Sequence, residues 1–180
     1  AIIEDEFGTN IDNIFLQFSE PIAAASIAQV HFAKIKLSNT EIDVAVKVLR
    51  PEIEKTINQE MERLEWLTTF MENFTEFQRL RPNSIIKKAK EVIKFELDLR
   101  YEAAAASELS ENTNMDESFY VPTVYWDKVT QKILTMEKIT GIPADKIDEL
   151  NEKKVNIKQA AENLITNFQT MPGVMTIILY

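Results

Sequence analysis

A lysine stands inside the otherwise apolar, β-branched run Asp43-Val44-Ala45-Val46-Lys47-Val48-Leu49, and it restricts the folds open to this chain. An ammonium group pressed against a sheet forfeits on the order of several kcal/mol of solvation unless it reaches water or meets a carboxylate. The segment Glu96-Leu97-Asp98-Leu99-Arg100-Tyr101-Glu102 supplies carboxylates. If it is helical, Asp98 and Glu102 lie one turn apart, where like charges repel unless a cation sits nearby. Lys47 fits as that cation. The competing arrangement has Lys47 reaching solvent at a strand end and the acids on a solvated face, with Glu96 paired to Arg100.

Periodicity supplies the surrounding elements. Ile27 to Leu37 and Ile42 to Leu49 read as two antiparallel strands joined by the turn Ser38-Asn39-Thr40-Glu41. Pro51 suits a first helical turn, and Ile53, Ile57, Met61, Leu64, Leu67, Met71 and Phe74 recur along one helical face. Trp66, Phe70 and Phe74 are expected to pack into the core. After Arg81-Pro82-Asn83, Ser84 is placed to cap a second helix, 84–109, carrying Ile85, Ala89, Val92, Ile93, Leu99, Ala103 and Ala106. Two further strands are expected at 120–126 and 132–137, and another helix at 151–170. Pro172-Gly173 ends any helix, and Val174 to Tyr180 is apolar.

Bulk properties exclude several classes of function. With 29 acidic and 20 basic side chains, the net charge of -9 lacks the basic footprint of a nucleic-acid binder. The absence of cysteine and the single histidine, His31, exclude disulfides, thiolate metal sites and multi-histidine zinc motifs. A packing or hydrogen-bonding role is expected for His31. No apolar run approaches the roughly 20 residues of a spanning helix, and the first residues lack a basic leader, so a cytoplasmic chain is expected.

Upstream of the lysine, Pro21-Ile22-Ala23-Ala24-Ala25-Ser26-Ile27-Ala28-Gln29-Val30-His31 places small side chains where a backbone can approach a phosphate closely. Phosphate loops ordinarily use glycine for this purpose and for its access to positive φ. Alanine permits the approach but stiffens the loop. A helix start packed on small residues is the alternative for this stretch.

These segments, together with Arg50-Pro51 and Glu96-x-Asp98 followed by Glu102, resemble the UbiB family of atypical kinases through most of residues 1–168. The resemblance implies an α+β fold: a protein kinase-like N-terminal lobe with a small antiparallel sheet and long flanking helices over 1–140. A truncated, helical start of the second lobe would follow over 141–170, then an unmatched apolar tail over 171–180. It further implies that Ile22, Ala23, Ala24, Ala25, Ser26, Ile27, Ala28, Gln29 and Val30 cover a nucleotide, ATP or ADP, and that Lys47 contacts its phosphates. Glu102 would pair with Lys47, Glu96 and Asp98 would face the pocket, and Glu137 and Ile139 would belong to the hinge that holds adenine through main-chain groups.

By the same resemblance, Mg²⁺ binding, kinase-like or ATPase activity and support of ubiquinone synthesis at the inner membrane belong to the complete protein. The family's catalytic loop, its later metal-binding aspartate and its lysine- and glutamine-containing motif match nothing in this sequence, and the pattern departs near Phe168-Gln169-Thr170. A split or frameshifted coding region is therefore expected, with catalysis lost and a downstream polypeptide completing the second lobe. Membrane association would come only through parts absent here. A non-catalytic helical interaction protein, with helices 51–74 and 84–109 against a partner, and a non-functional gene fragment are the alternatives.

Overall fold

The computed structural model describes residues 2–114, 120–142, 146–153, 155–158 and 162. Its centre is a four-stranded antiparallel sheet in the order β1-β2-β3-β4, formed by Gln17–Ala24, Ala28–Leu37, Thr40–Leu49 and Ile133–Glu137. Strands β2 and β3 pair along their whole lengths, from Ala28 opposite Leu49 to Leu37 opposite Thr40. Only Ser38 and Asn39 connect them, with Ser38 in the left-handed region at φ 56°. The β-branched residues of both strands explain the long ladder.

Strand β1 lies where the sequence pointed to a loop. Pro21 has no N–H to give a ladder, but an edge strand tolerates it, and the register shifts on either side of Pro21 absorb the irregularity. The alternative of a helix start at the alanines is excluded, because they form a strand end and a hairpin turn. The strand expected at 120–126 is reduced to a single bridge, Val124 opposite Met136, followed by a 3-10 turn at Trp126–Lys128. Pro122 again removes a donor that regular pairing would need.

Alternation along β3 sends its side chains to two layers. On one face Val44, Val46 and Val48 join Ala33, Ile35 and Ile133, covered by Ile3, Ile14 and Phe15. Ile3 belongs to a short helix, α1 (Ile2–Phe7), that the sequence reading did not anticipate. On the other face Ala28, Leu49 and Leu134 pack against Leu97, Leu99 and Ala103.

The expected helix 51–74 is α2 (Ile53–Met71), with Glu52 left-handed at φ 59° just before it and the one-turn α3 (Thr75–Gln78) after it. The expected helix 84–109 is two helices. The first, α4 (Pro82–Glu96), starts at Pro82 and not from a Ser84 cap, since proline's fixed φ suits the first turn and its missing N–H costs nothing there. The second, α5 (Leu99–Asn112), begins when the Asp98 carboxylate accepts the Arg100 N–H at 3.1 Å. Ala103 and Ala106 are wholly buried and let α5 approach the sheet. The last described helix, α6 (Ile147–Glu152), starts ahead of the expected 151–170 helix. Most of that expected helix, and the whole 171–180 tail, fall outside the described residues.

Core packing of Trp66, Phe70 and Phe74 is contradicted. Trp66 is 73% exposed, Phe70 and Phe74 are about half exposed, and the three rings contact one another in a row. Ile85 and Val92 of α4 are exposed as well. Periodicity identified an apolar face but not a partner to cover it.

Leu99 is 2% exposed between α5 and the sheet, so Leu99→Ala should lower stability by about 2–5 kcal/mol in urea titration. Thr135 on β4 is fully buried and its hydroxyl has no hydrogen-bond partner among the described residues. Thr135→Val removes an unsatisfied polar group at nearly constant shape, and should leave stability unchanged or raise it by about 1 kcal/mol.

Candidate functional site

Lys47 opens the α5-facing side of β3, opposite Val30 on β2 and Leu134 on β4. Only 8% of the residue is exposed. Its ammonium donates to both oxygens of Glu102, at 2.9 Å to Oε1 and 2.7 Å to Oε2. The neutralising carboxylate required by the sequence is therefore Glu102, on the first turn of α5. The solvent-reaching alternative for Lys47 is excluded.

The strand end nearest this pair carries the alanine turn. Ala25 N–H donates to Ala28 O at 2.9 Å and closes a tight turn through Ser26 and Ile27, so Ala25, Ser26 and Ile27 connect β1 to β2. Two-residue hairpin connections ordinarily use positive φ to match strand twist. The described non-glycine residues with positive φ are Ser38, Glu52 and Arg81, none of them here. Alanine is thus sterically acceptable throughout the turn. Arg50, one residue beyond β3, also touches it: its N–H donates to Ile27 O at 2.9 Å and its Nε donates to Ala25 O at 3.2 Å. Sequence reasoning gave Arg50 no role, because a bond to a main-chain carbonyl leaves no trace in the partner's side chains.

The other acidic residues of this segment are held apart from the Lys47 pair. Glu96 is exposed at the last residue of α4. Asp98 is buried and bonds to Arg100, from Nε at 2.8 Å and Nη2 at 2.6 Å, so Arg100 pairs with Asp98 and not with Glu96. The guanidinium hydrogen bond holds the Asp98 carboxyl below its ordinary pKa, against the opposing effect of burial, and raises that of Arg100. As the cap of α5, Asp98 does not compete with Glu102 for Lys47.

At the end of β4, Glu137 accepts from the Tyr120 hydroxyl at 2.5 Å and the Thr123 N–H at 3.2 Å. The Tyr120 bond lowers the Glu137 pKa and raises that of Tyr120. The Glu137 and Lys138 N–H groups are engaged by Thr123 O and Asp43 O. Ile139, at the surface, makes no main-chain hydrogen bond among the described residues. His31 stacks on Phe18 with ring centres 4.7 Å apart and donates from Nδ1 to Ser19 O at 2.9 Å, which accounts for it as a packing residue.

Two cavities open elsewhere on the lobe. One of about 660 Å³ lies among α2, α4 and α5 and is lined in part by Ile57, Met61, Ile93, Leu97 and Asp98. The second, of about 890 Å³, lies beside α1 and the start of α2. Lys47, Glu102 and the alanine turn line neither. Among the described residues, no three metal-ligating side chains cluster, and no helix is long and apolar enough to cross a membrane.

The ABC1 atypical kinase-like domain matches residues 1–176, reaching into the segment 171–180. Curated relatives described as "Probable protein kinase UbiB" are similar over nearly the whole chain. That of Pseudomonas aeruginosa strain PAO1 is 38% identical over 170 residues, which are 93% of this chain and 31% of the relative. Those of Azotobacter vinelandii and Pseudomonas entomophila are 38% and 37% identical, over 94% of this chain and 32% of each relative. The chain thus spans about a third of the length of these relatives.

Removing the ammonium while leaving the carboxylate should be costly. Lys47→Met is expected to destabilise the protein by about 3–5 kcal/mol in urea titration. Adding Glu102→Gln should recover part of that loss, so the double variant is more stable than the sum of the single effects. For Asp98 the sign follows from its lowered folded pKa. Its stabilising contribution is complete above the unfolded value of about 3.9 and disappears as pH falls through the lower folded value. Asp98→Asn should therefore flatten the acid limb of stability below about pH 4.

Proposed function

Because the chain belongs to the ABC1 atypical kinase-like family, we propose that it is the ATP-binding part of a UbiB-type kinase or ATPase that supports ubiquinone biosynthesis. The observation that carries this reading is the Lys47–Glu102 pair beside a turn of small residues. An amine held at 2.7 Å by a partly buried carboxylate is fixed in direction as well as charge, and it can meet a phosphate oxygen without a search among rotamers. The kinship to a kinase-like family supports nucleotide binding in general, and ATP or ADP is our specific assignment.

In this reading Ile22, Ala23, Ala24, Ala25, Ser26, Ile27, Ala28, Gln29 and Val30 form the strap over the phosphates, and Lys47 contacts them. Glu102 orients Lys47. Glu137 and Ile139 bring main-chain groups to the adenine edge, and the Ile139 N–H is the donor left over for it. Glu96 and Asp98 face the nucleotide pocket from the other side, completed by the second lobe. Residues 1–140 make the nucleotide-binding lobe, 141–170 begin the second lobe, and 171–180 are a tail. Mg²⁺ would be held chiefly by the rest of the full-length protein, where it would neutralise phosphate charge during transfer. Complete family members would act at the inner membrane, while this chain alone would be cytoplasmic, bind no nucleic acid and accept a downstream polypeptide that completes the cleft.

A second reading, a helical interaction protein, is favoured by the exposed row Trp66, Phe70 and Phe74. Calorimetric titration of the purified chain with ATP and ADP separates the two. Nucleotide binding should weaken at least tenfold in a folded Lys47→Ala variant. Equal behaviour of the variant and the unmodified chain would remove the site.

A further inference from the structure

We propose that the tip of the α2–α4 hairpin is a wedge for an anionic lipid surface, entering the headgroup layer with Phe70, Phe74, Phe77 and Leu80. The proposal is independent of the nucleotide reading. It departs from the expectation that a membrane is met only through parts outside this chain, and it needs no spanning helix.

The seam of the hairpin is polar and its outer flanks are apolar. Thr68 on α2 donates to the Asn83 side-chain oxygen, the Asn83 side-chain amide donates to Glu72 at 2.6 Å, and Lys90 on α4 pairs with Glu65. Trp66 and Phe70 each lie two residues from Thr68, and a step of two residues turns a helix by about 200°. Both rings therefore point away from α4. Ile85 and Val92 stand two residues beyond Asn83 and Lys90, and so point away from α2. All four side chains are exposed, as are Phe74, Phe77 and Leu80 at the end of the hairpin. A single partner surface covers one flank of such a hairpin, whereas a headgroup layer closes around a protruding end.

Charge selects the kind of lipid. Nearer the sheet, Lys55, Arg63 and Lys90 are each bridged to a glutamate. Toward the tip the pairing stops: Arg79, Arg81, Lys87 and Lys88 are exposed and bridge no carboxylate among the described residues. The Glu72 carboxylate is already taken by the N–H groups of Asn83. From Ile57, which packs on the cluster beside the sheet, the helical rise carries α2 about 20 Å to Phe70. That exceeds the screening length of about 8 Å at physiological salt, so the tip presents its own unpaired cations and not the net charge of -9. A second copy would set these cations against one another. The Thr68–Asn83 and Glu65–Lys90 contacts bracket Lys87 and Lys88 at the level of Trp66. An amphipathic ring beside two lysines forms a collar suited to the headgroups, with the apolar tip beyond it.

The test uses vesicles of phosphatidylcholine alone and of phosphatidylcholine mixed equally with phosphatidylglycerol. Flotation gives the bound fraction, and in a Trp126→Phe background the emission of Trp66, then the lone tryptophan, reports on the tip. The chain should bind the mixed vesicles on the order of tenfold more tightly than the neutral ones, and less tightly as salt is added, with Trp66 emission moving to shorter wavelength. Arg81→Gln with Lys88→Gln, and Phe70→Ser with Phe74→Ser, should each weaken binding on the order of tenfold. The urea midpoint should stay unchanged in both, since all four side chains are exposed. Equal binding to both vesicles, flotation without a Trp66 shift, or flotation untouched by either pair of substitutions would overturn the proposal. Absence of flotation would overturn it and leave the aromatic row to a protein partner. Self-association of the free chain that Phe70→Ser with Phe74→Ser abolishes would overturn it too, and assign the row to a second copy.

Discussion

The ion pair between Lys47 and Glu102 governs how the sheet and α5 meet. Both groups are largely withdrawn from water, so each must have the other within hydrogen-bond reach or suffer the full cost of lost hydration. That requirement sets the height of α5 over β3. The wholly buried Ala103 and Ala106 make the height attainable, since larger side chains there would push the helix outward and open the pair. Apolar packing around Leu99 and Leu134 then stabilises a separation that electrostatics selects.

The hairpin between β1 and β2 follows a similar logic of mutual restriction. Without glycine, the turn has fewer conformations to lose on folding and fewer to visit afterwards. Its residues keep negative φ, and two of its carbonyls accept from Arg50, one from the main-chain N–H and one from Nε. Lys47 and the turn are thus each held by bonds within the lobe.

Some of this was legible in the sequence, and the reasons for the exceptions are physical. Strands β2, β3 and β4 announce themselves through β-branched runs, and the Lys47–Glu102 pair through a charge that has no place in one of them. Strand β1 was hidden because Pro21 and a run of alanines carry turn and helix signals, which an edge position overrides. The break between α4 and α5 was hidden because Leu97 and Leu99 preserve apolar content across it, while Asp98 resembles an ordinary helix acid until it is seen capping. Trp66, Phe70 and Phe74 show the limit of periodicity, which finds a stripe without saying whether anything lies on it. Arg50 shows another limit, since its partners are backbone oxygens that every residue possesses.

The cap at Asp98 has a mechanical consequence. A continuous rod from Pro82 to Asn112 would transmit any tilt of the α2–α4 hairpin directly to Glu102, and through it to the lysine. Two rods joined at Leu97 and Asp98 do not. The bend lets α5 take its direction from its own seat on the sheet, while Ile57 and Ile93 of the outer hairpin rest against the same cluster as Leu99 and Ala103.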